Sequence, residues 1–379
     1  MRLLLSLPVL LLCLSGRAQH FYLFVGTYTL GSHNQPNGSK GIYVYDFDAA
    51  TGDIKPVSTA ETENPSYLAL AASGDFLYAT NETGGTKPGG VSAFAFDKKT
   101  GQLQFLDRQP SGGDGPCYVS VDAHRKWAMV ANYDGGSLAA LPIRDDGSVA
   151  PLVEFIQHTG TGPNRQRQEK AHVHSATFSP DEHFLIVADL GMDQLSLYRF
   201  YPRAPKFPLT SPDDSVVTIS SGSGPRHISF YPGKPWLYLM NEMGGTVDAF
   251  RYSDGKLTPF QHISAHPAGF EGAIGSADIH VAPGGKFLYA SNRGDENTLT
   301  IYSIDTTSGE LALKGYQPVP GKTPRNFIID PTGQWLLVAN QSSNNVVLFK
   351  IDPVTGMPQP AGKTLDIPAP VCLKMLKNP

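Results

Sequence analysis

A short frame recurs along the chain and constrains its fold more than any other feature. The frame is an aromatic residue, four mostly apolar residues and then Asn or Asp. Six copies occur, with successive Asn or Asp positions 48 to 57 residues apart: Phe76–Asn81, Trp127–Asn132, Phe184–Asp189, Trp236–Asn241, Phe287–Asn292 and Trp335–Asn340. Residues 22–27 form a degenerate seventh copy. A fixed period of about 50 residues indicates a repeat architecture.

Each copy lies within the same pattern of short strands. An apolar strand such as 67–70 precedes the frame, and an alternating strand such as 299–304 follows it. Turns rich in glycine separate the strands, and the 39 glycines and 31 prolines of the 379 residues suit such turns. Four antiparallel strands per unit, repeated seven times without a helical period, predict an all-β, seven-bladed β-propeller.

The two ends of the chain predict how the ring closes. Residues 370–375 resemble the first strand of a blade, and residues 21–27 resemble the second. We therefore expect one blade to be built from both termini. Residues 19–379 are then a single propeller domain, closed non-covalently.

Residues 1–18 differ from the rest and predict a signal peptide. Arg2 precedes an apolar run over residues 3–14, and Gly16 and Ala18 are small residues suited to cleavage after position 18. The mature chain is expected to be exported to the periplasm without a further membrane span, since no later apolar run approaches about 18 residues. Lipid anchoring at Cys13 is not expected, because Leu12 precedes it where a small residue belongs.

Several classes of function lack support in the sequence. A net charge of -4 provides no basic field, so nucleic acid is not an expected partner. No phosphate loop, dinucleotide fingerprint or Gly-x-Ser-x-Gly elbow occurs, so no cofactor is predicted. No metal site is predicted either, because the histidines of 171–175 and His280 have no Cys or second carboxylate beside them. Cys117 and Cys372 are expected to be buried free thiols.

Two positions of the repeat break its regularity and carry polar residues. Fifteen residues before each Asn or Asp the chain has Ser66, Cys117, His174, Arg226, Ala277 and Arg325. One residue after, it has Glu82, Tyr133, Leu190, Glu242, Arg293 and Gln341. A purely structural repeat would hold similar residues at equivalent positions. We therefore predict that these two sets meet at one mouth of the central channel, where propellers bind ligands.

The chemistry available at this mouth is hydrolysis or ring opening of an anionic substrate. Arg226, Arg293 and Arg325 can bind a carboxylate or phosphate or stabilise an oxyanion. His174 or Glu242 can act as general base on water. The structural alternative is that Glu242 only pairs with an arginine of a neighbouring blade. Three further histidines are candidates for substrate binding, although each could merely satisfy backbone groups: His172, His227 and His280.

The chain resembles the seven-bladed lactonase family of bacterial propeller-type 6-phosphogluconolactonases and the related fungal carboxy-cis,cis-muconate cyclase. The resemblance covers residues 21–379. The stretches that carry it are Gly162-Pro163-Asn164, Arg167-Gln168-Glu169, His172-x-His174, Ala188-Asp189-Leu190-Gly191, Gly224-Pro225-Arg226-His227, Asn241-Glu242, Ala277-Asp278-Ile279-His280, Ser291-Asn292-Arg293-Gly294 and Pro324-Arg325-Asn326-Phe327.

The resemblance implies a metal-independent lactone site whose histidine, glutamate and two arginines fall on His174, Glu242, Arg226 and Arg293. It predicts hydrolysis of a sugar δ-lactone, most closely 6-phosphoglucono-δ-lactone. The expected export argues against a phosphorylated substrate, because sugar phosphates are expected inside cells. The alternatives are an exported lactonase or a cyclase acting on another anionic lactone, and a propeller that only binds a ligand or protein.

Overall fold

The computed structural model describes residues 19–31, 35–213 and 215–378. The predicted signal peptide and Cys13 lie outside this range. Within it, the secondary structure is almost entirely strand, apart from one turn of 3-10 helix at Leu190–Met192. The described residues contain no helix that is long and apolar enough to cross a membrane.

The strands are short and follow one another closely along the chain. They are β1 His20–Thr27, β2 Gly41–Asp48, β3 Asp53–Glu61, β4 Leu68–Leu70, β5 Phe76–Asn81, β6 Gly90–Asp97, β7 Gln102–Pro110, β8 Pro116–Val121, β9 Trp127–Asn132, β10 Ser137–Pro142, β11 Glu154–Gln157, β12 Val173–Phe178, β13 Phe184–Asp189, β14 Gln194–Phe200, β15 Leu209–Thr210, β16 Val216–Thr218, β17 Pro225–Phe230, β18 Trp236–Asn241, β19 Thr246–Ser253, β20 Lys256–Ser264, β21 Ser276–Val281, β22 Phe287–Asn292, β23 Thr298–Ile304, β24 Leu311–Pro318, β25 Pro324–Ile329, β26 Trp335–Asn340, β27 Asn345–Ile351, β28 Pro358–Asp366 and β29 Pro370–Lys377.

These strands form seven antiparallel sheets, which are the blades of a propeller. Six blades are consecutive in the chain and begin at β4, β8, β12, β17, β21 and β25. The innermost strands contact one another in a closed circle: β4, β8, β12, β17, β21, β25 and β29. The predicted seven-bladed β-propeller is therefore confirmed.

The seventh blade contains both ends of the chain, in the order β29-β1-β2-β3. The innermost strand β29 pairs antiparallel with β1, so that Phe21 faces Lys377 and Gly26 faces Cys372. Without this pairing, both strands would expose unpaired backbone groups at a sheet edge. The expectation that the termini close the ring is confirmed.

The aromatic residue of each frame packs on the hairpin turn of the following blade. Trp335 of β26 lies on the turn at Gly52, and its indole Nε1 donates to the carbonyl of Ala49 at 2.8 Å. Gly52 has a φ of 75°, and a Cβ there would lie 2.3 Å from the Trp335 ring. The same contact joins four other pairs: Phe76 with Gly147, Phe184 with Gly255, Trp236 with Gly309, and Phe287 with Gly356. The repeat frame therefore marks the contacts between neighbouring blades.

The Asn or Asp that ends each frame is buried, and in four of the six frames it bonds to the backbone of the preceding connection. Asn241 and Asn340 instead donate to side chains of their own blade. Asn81 donates from Nδ2 to the carbonyl of Glu63 at 2.7 Å, and Asn292 donates to that of Ala265 at 2.8 Å. Asp189 accepts from the backbone N–H of His172 at 2.8 Å. These polar groups satisfy buried backbone partners, as a structural role requires.

A ring of β-bulges shapes one end of the channel. In the innermost strands, pairing with the second strand slips by one residue near the start of the strand, as between Pro225 and His227. Four residues fall at such slips and lie outside the regular ladder: Cys117, His174, Arg226 and Arg325. A bulge redirects the side chain of its extra residue. These are positions fifteen residues before each frame's end, so the bulges explain why they differ from blade to blade.

Candidate active site

Glu242 lies at the centre of a charged cluster at this mouth. Its Oε2 accepts from Nε of Arg226 at 2.9 Å and lies 2.9 Å from Nη2 of Arg293. Nε2 of His174 lies 3.7 Å from the same oxygen. Its Oε1 accepts from Nη2 of Arg167 at 2.6 Å. The structure thus brings together the four residues predicted to be catalytic and adds a third arginine.

The surrounding cations keep the carboxyl of Glu242 ionised. The residue is 5% exposed, and burial alone would raise its pKa. The attraction of Arg293, Arg226 and Arg167 outweighs burial and holds the pKa well below its ordinary value. Glu242 is consequently a carboxylate throughout the neutral pH range.

Arg226 and Arg293 are buried cations whose positions are fixed by backbone carbonyls. Arg226 donates from Nη1 to the carbonyl of Ala277 at 2.7 Å. Arg293 donates from Nε to the carbonyl of Gly275 at 2.8 Å. Burial lowers the pKa of both side chains, that of Arg293 to about 10, so both remain charged at neutral pH. They therefore present fixed positive charge to the mouth.

His174 is buried beside these charges and is neutral. Burial, followed by the charge of Arg226, holds its pKa well below the ordinary value. Its ring meets Tyr133 edge-on at a centroid distance of 5.3 Å, and its Nδ1 lies 3.9 Å from Sγ of Cys117. Burial, followed by the charge of Glu82, raises the pKa of Cys117, so this thiol is not an activated nucleophile. Cys117 and Cys372 are both free and buried, as predicted.

A second polar cluster at the same mouth contains Arg325. Its guanidinium carbon lies 5.6 Å from the ring centroid of Tyr28, whose hydroxyl donates to Oε1 of Glu82 at 2.9 Å. The other oxygen, Oε2 of Glu82, is buried without a hydrogen-bond partner among the described residues. Burial opposes the charge on Arg325, but attraction to Tyr28, Glu82 and Glu242 outweighs burial and raises its pKa. Arg325 is therefore a charged group beside the first cluster.

Aromatic side chains pack together beside Arg226. Tyr67 and Tyr118 stack at a centroid distance of 4.1 Å, and the ring of His227 meets both edge-on. Burial and the charge of Arg226 lower the pKa of His227 to about 3, so the ring is neutral. It can then donate from Nδ1 to Oδ1 of Asp278, which lies 2.8 Å away. His227 forms part of the floor of the site and supports Arg226 from below.

The other two histidines proposed for substrate binding are held by different partners. His280 lies 2.9 Å from Oδ2 of Asp278, on the oxygen that His227 does not contact. His172 stacks on Tyr133 at 4.5 Å, and its Nε2 lies 3.2 Å from Glu169. Among the described residues, neither histidine makes a hydrogen bond or ion pair with Glu242, His174, Arg226 or Arg293. The predicted set is therefore only partly gathered at the mouth.

Arg167 was not among the predicted site residues. It lies on the insertion 159–171, which lengthens the connection before β12. The neighbouring side chain of Gln168 is fully buried and donates to the carbonyl of Leu190 at 2.9 Å, which anchors the loop over the mouth. Two signals were available in the sequence: the insertion itself, and the stretch Arg167-Gln168-Glu169 within it, which is one of those that carry the family resemblance. The other insertion, 203–223, supplies β15 and β16 to the outer edge of a blade instead.

The arrangement suits attack of water on a carbonyl carbon. Fixed cations can stabilise an oxygen that becomes negative, and a carboxylate and a neutral imidazole can each accept a proton. Among the described residues, no three His, Cys, Asp or Glu side chains are placed to share a metal ion. The cations, the carboxylate and the imidazole of the site support acid–base and electrostatic chemistry.

Comparison with known proteins places the chain among sugar lactonases. Residues 22–375 match the family model described as "Lactonase, 7-bladed beta-propeller". The chain is 36% identical over 362 residues to the 6-phosphogluconolactonase of Bacillus subtilis, covering 93% of this chain and 97% of that protein. It is 35% identical over 355 residues to the 6-phosphogluconolactonase of Formosa agariphila, covering 93% and 99%.

A solved structure agrees with these sequence matches. The periplasmic gluconolactonase PpgL of Pseudomonas aeruginosa superposes with a TM-score of 0.89 at 36% identity, over 95% of this chain and 100% of that chain. The similarity therefore spans the whole ring of blades rather than a single repeat.

Proposed function

Because the chain belongs to the seven-bladed β-propeller lactonase family, we propose that it hydrolyses a sugar δ-lactone at the mouth around Glu242. One observation carries the proposal. An ionised carboxylate is held by two buried arginines and faces a neutral histidine, all at one end of a closed channel. These are the groups needed to polarise a lactone carbonyl and to accept a proton from water.

In the proposed reaction, water attacks the carbonyl carbon of the lactone. Arg226 and Arg293 stabilise the carbonyl oxygen as it becomes an oxyanion. Their Nη2 and Nη1 atoms, respectively, make no hydrogen bond to the described residues and can donate to it. The bond between the carbonyl carbon and the ring oxygen then breaks. The ring oxygen takes up a proton, and the product is the open-chain sugar acid.

Glu242 and His174 are the two candidates for the general base. Both are in the proton-accepting form at neutral pH, Glu242 because of the arginines and His174 because of burial. Removal of a general base typically costs about 10²- to 10⁴-fold in rate. Their separation of 3.7 Å also lets Glu242 stabilise an imidazolium formed on His174.

The charges at the mouth favour an anionic lactone. Four arginines, Arg167, Arg226, Arg293 and Arg325, outnumber the carboxylates Glu82, Glu242 and Asp278. A phosphate or carboxylate on the substrate would balance the excess. The relatives named 6-phosphogluconolactonase support 6-phosphoglucono-δ-lactone as the substrate. The periplasmic gluconolactonase supports the alternative, an exported enzyme for a lactone without phosphate.

We also propose that the enzyme acts outside the cytoplasm. The pattern of residues 1–18 and the similarity to a periplasmic protein support this location. Expression of the full chain with cell fractionation tests it. Mass spectrometry should find a periplasmic protein that begins at Gln19, and an uncleaved cytoplasmic protein would contradict the proposal.

The activity is tested with purified protein from Gln19 onward. Hydrolysis of 6-phosphoglucono-δ-lactone and of glucono-δ-lactone is followed after subtraction of the spontaneous rate. We expect turnover of at least one lactone, and a loss of at least about 100-fold in Glu242→Gln. Glu63→Gln is the control, because Glu63 lies in an exposed ion pair with Lys87. If wild type hydrolyses neither lactone above background, the proposal is wrong and a binding role becomes the better explanation.

A further inference from the structure

The two carboxylate oxygens of Glu242 contact arginines that differ in exposure. Oε2 contacts Arg226 and Arg293, which are buried and also bound to backbone carbonyls. Among the described residues, Oε1 accepts only from Arg167, whose side chain is 46% exposed, against 2% for Arg226 and 14% for Arg293. A ligand that enters the mouth therefore meets Arg167 before it can meet Oε1.

The loop that carries Arg167 is fixed at its backbone. The backbone N–H groups of Arg167 and Gln168 donate to the carbonyl of Asn164 at 3.2 and 2.6 Å. The buried side chain of Gln168 also donates to Asp193 at 2.8 Å. The side chain of Arg167, whose Nη2 also donates to the hydroxyl of Tyr133 at 3.1 Å, can thus change partner while this backbone stays fixed. Such a change needs rotation about side-chain bonds and no opening of the loop.

We propose that Arg167 is the specificity-determining residue of this site: an anionic group on the substrate draws its guanidinium away from Glu242 and so uncovers Oε1 to accept the proton of the attacking water. The inference rests on the proposed lactonase activity. Arg167 can exchange one carboxylate for a phosphate or another carboxylate, because its planar fork binds either anion.

This exchange couples recognition of the anion to the basicity of Glu242. Arg167 is one of the cations that hold the pKa of Glu242 low, after Arg293 and Arg226. Its departure removes one of these attractions, so the carboxylate becomes a stronger base. An uncharged lactone leaves Arg167 on Oε1. The anion should therefore increase kcat as well as lower KM.

Steady-state kinetics of Arg167→Gln test the inference, with Arg165→Gln as the matched control. Arg165 lies in the same loop and is exposed, without a hydrogen bond or ion pair to the described residues. For Arg167→Gln, kcat/KM on 6-phosphoglucono-δ-lactone should fall about 10- to 100-fold, the range for loss of a hydrogen bond to a charged group. Its kcat on glucono-δ-lactone should rise, because Oε1 is uncovered. Arg165→Gln should match wild type on both.

A carboxylated lactone identifies which anion is recognised. Glucaro-1,5-lactone is a δ-lactone that carries a carboxylate and no phosphate, so a larger loss on this lactone than on the phosphorylated one assigns recognition to a carboxylate. The reverse result assigns it to phosphate. An equal loss on all three lactones would mean that Arg167 only holds Glu242 in place, and the inference would be overturned.

Inorganic phosphate provides a readout that does not depend on lactone turnover. Calorimetric titration should detect phosphate binding in wild type and in Arg165→Gln, and at least tenfold weaker binding in Arg167→Gln. Phosphate should also stimulate wild-type hydrolysis of glucono-δ-lactone and leave that of Arg167→Gln unstimulated. Phosphate binding without hydrolysis of any lactone would refute the proposed activity alone. Hydrolysis with equal phosphate binding in all three proteins would refute the role of Arg167 alone.

Discussion

Replacement of Glu242 by Gln should lower the stability of the fold as well as abolish activity. In wild type this carboxylate neutralises Arg226 and Arg293, which are 2% and 14% exposed at their side chains. Glutamine leaves both cations buried without a counter-ion. Breaking a buried ion pair by removing one partner costs about 3–5 kcal/mol. At about 2 °C per kcal/mol for a chain of this size, Tm should fall by about 6–10 °C.

Thermal and guanidinium unfolding at pH 7 measure this loss. Glu63→Gln makes the same chemical change in an exposed pair with Lys87, 2.6 Å apart, and should cost at most about 1 kcal/mol. The pKa of Glu242 is lowered in the folded protein, so its contribution to stability is present above its unfolded value of 4.5 and is lost as pH falls through its lower folded value. The difference between the two proteins should accordingly narrow in acid. A Tm within about 2 °C of wild type at pH 7 would show that Glu242 does not hold these arginines.

Three further predictions concern the pH dependence of the rate, the two cysteines and a contact between blades. The pKa values of His174 and Glu242 are both lowered, so kcat/KM should show no inflection near pH 6.5 and should decline in acid only below about pH 4.5. The rate is first corrected for spontaneous hydrolysis. An inflection near pH 6.5 in the corrected rate would assign the base to a different group. Cys117 and Cys372 should not react with a thiol reagent at pH 8 until guanidinium unfolds the protein, because both are buried and burial raises the pKa of Cys372 to about 11; reaction in the native state would contradict that burial. Gly309 has a φ of 84° and lies under the Trp236 ring, so Gly309→Ala should lower the free energy of unfolding by about 2–4 kcal/mol. Gly333 has a φ of 72° and open space where a Cβ would lie, so Gly333→Ala should lower it by only about 1 kcal/mol. Equal unfolding free energies for the two variants would refute a role for this contact between blades.

Much of the fold could be predicted because each blade repeats the same packing problem. The aromatic residue of the frame must cover a turn of the next blade, and the final Asn or Asp must find hydrogen-bond partners at its buried position. Both demands recur at one period, so they are visible in the sequence. The closing blade was predictable for the same reason, since residues 21–27 and 370–375 each lack the neighbouring strand that the other supplies.

The site was predictable only where it follows the repeat. His174 and Arg226 lie at equivalent positions of their blades, as do Glu242 and Arg293, so comparison between blades singled them out. Arg167 has no equivalent in other blades because it lies on an insertion, and its 2.6 Å contact with Glu242 spans 75 residues of sequence. No local pattern could assign that partner.

The histidines show a second limit, which is the direction of the side chain. His227 follows a bulge residue and forms the floor of the site, and His280 lies three residues beyond the equivalent position, on the far side of Asp278. The register within an innermost strand decides whether a side chain lies at the mouth of the channel, at the floor of the site or deeper in the channel. That register depends on the bulge, which the sequence does not reveal.

The residues in the ring of bulges lie outside the strand pairing that holds the propeller together, so they are the ones that can vary with the ligand. A residue that the ladder skips can be exchanged without shifting the alternation of buried side chains along its strand. Cys117 is one such residue, and Ala277 lies in the slip between Ser276 and Ile279 of β21. Both are small, whereas the equivalent positions of neighbouring blades carry His174, Arg226 and Arg325. The residues at these positions can thus be substituted while the strands of the blades keep their pairing. A new ligand preference could be introduced by substituting one of these positions at a time, beginning with Cys117 or Ala277.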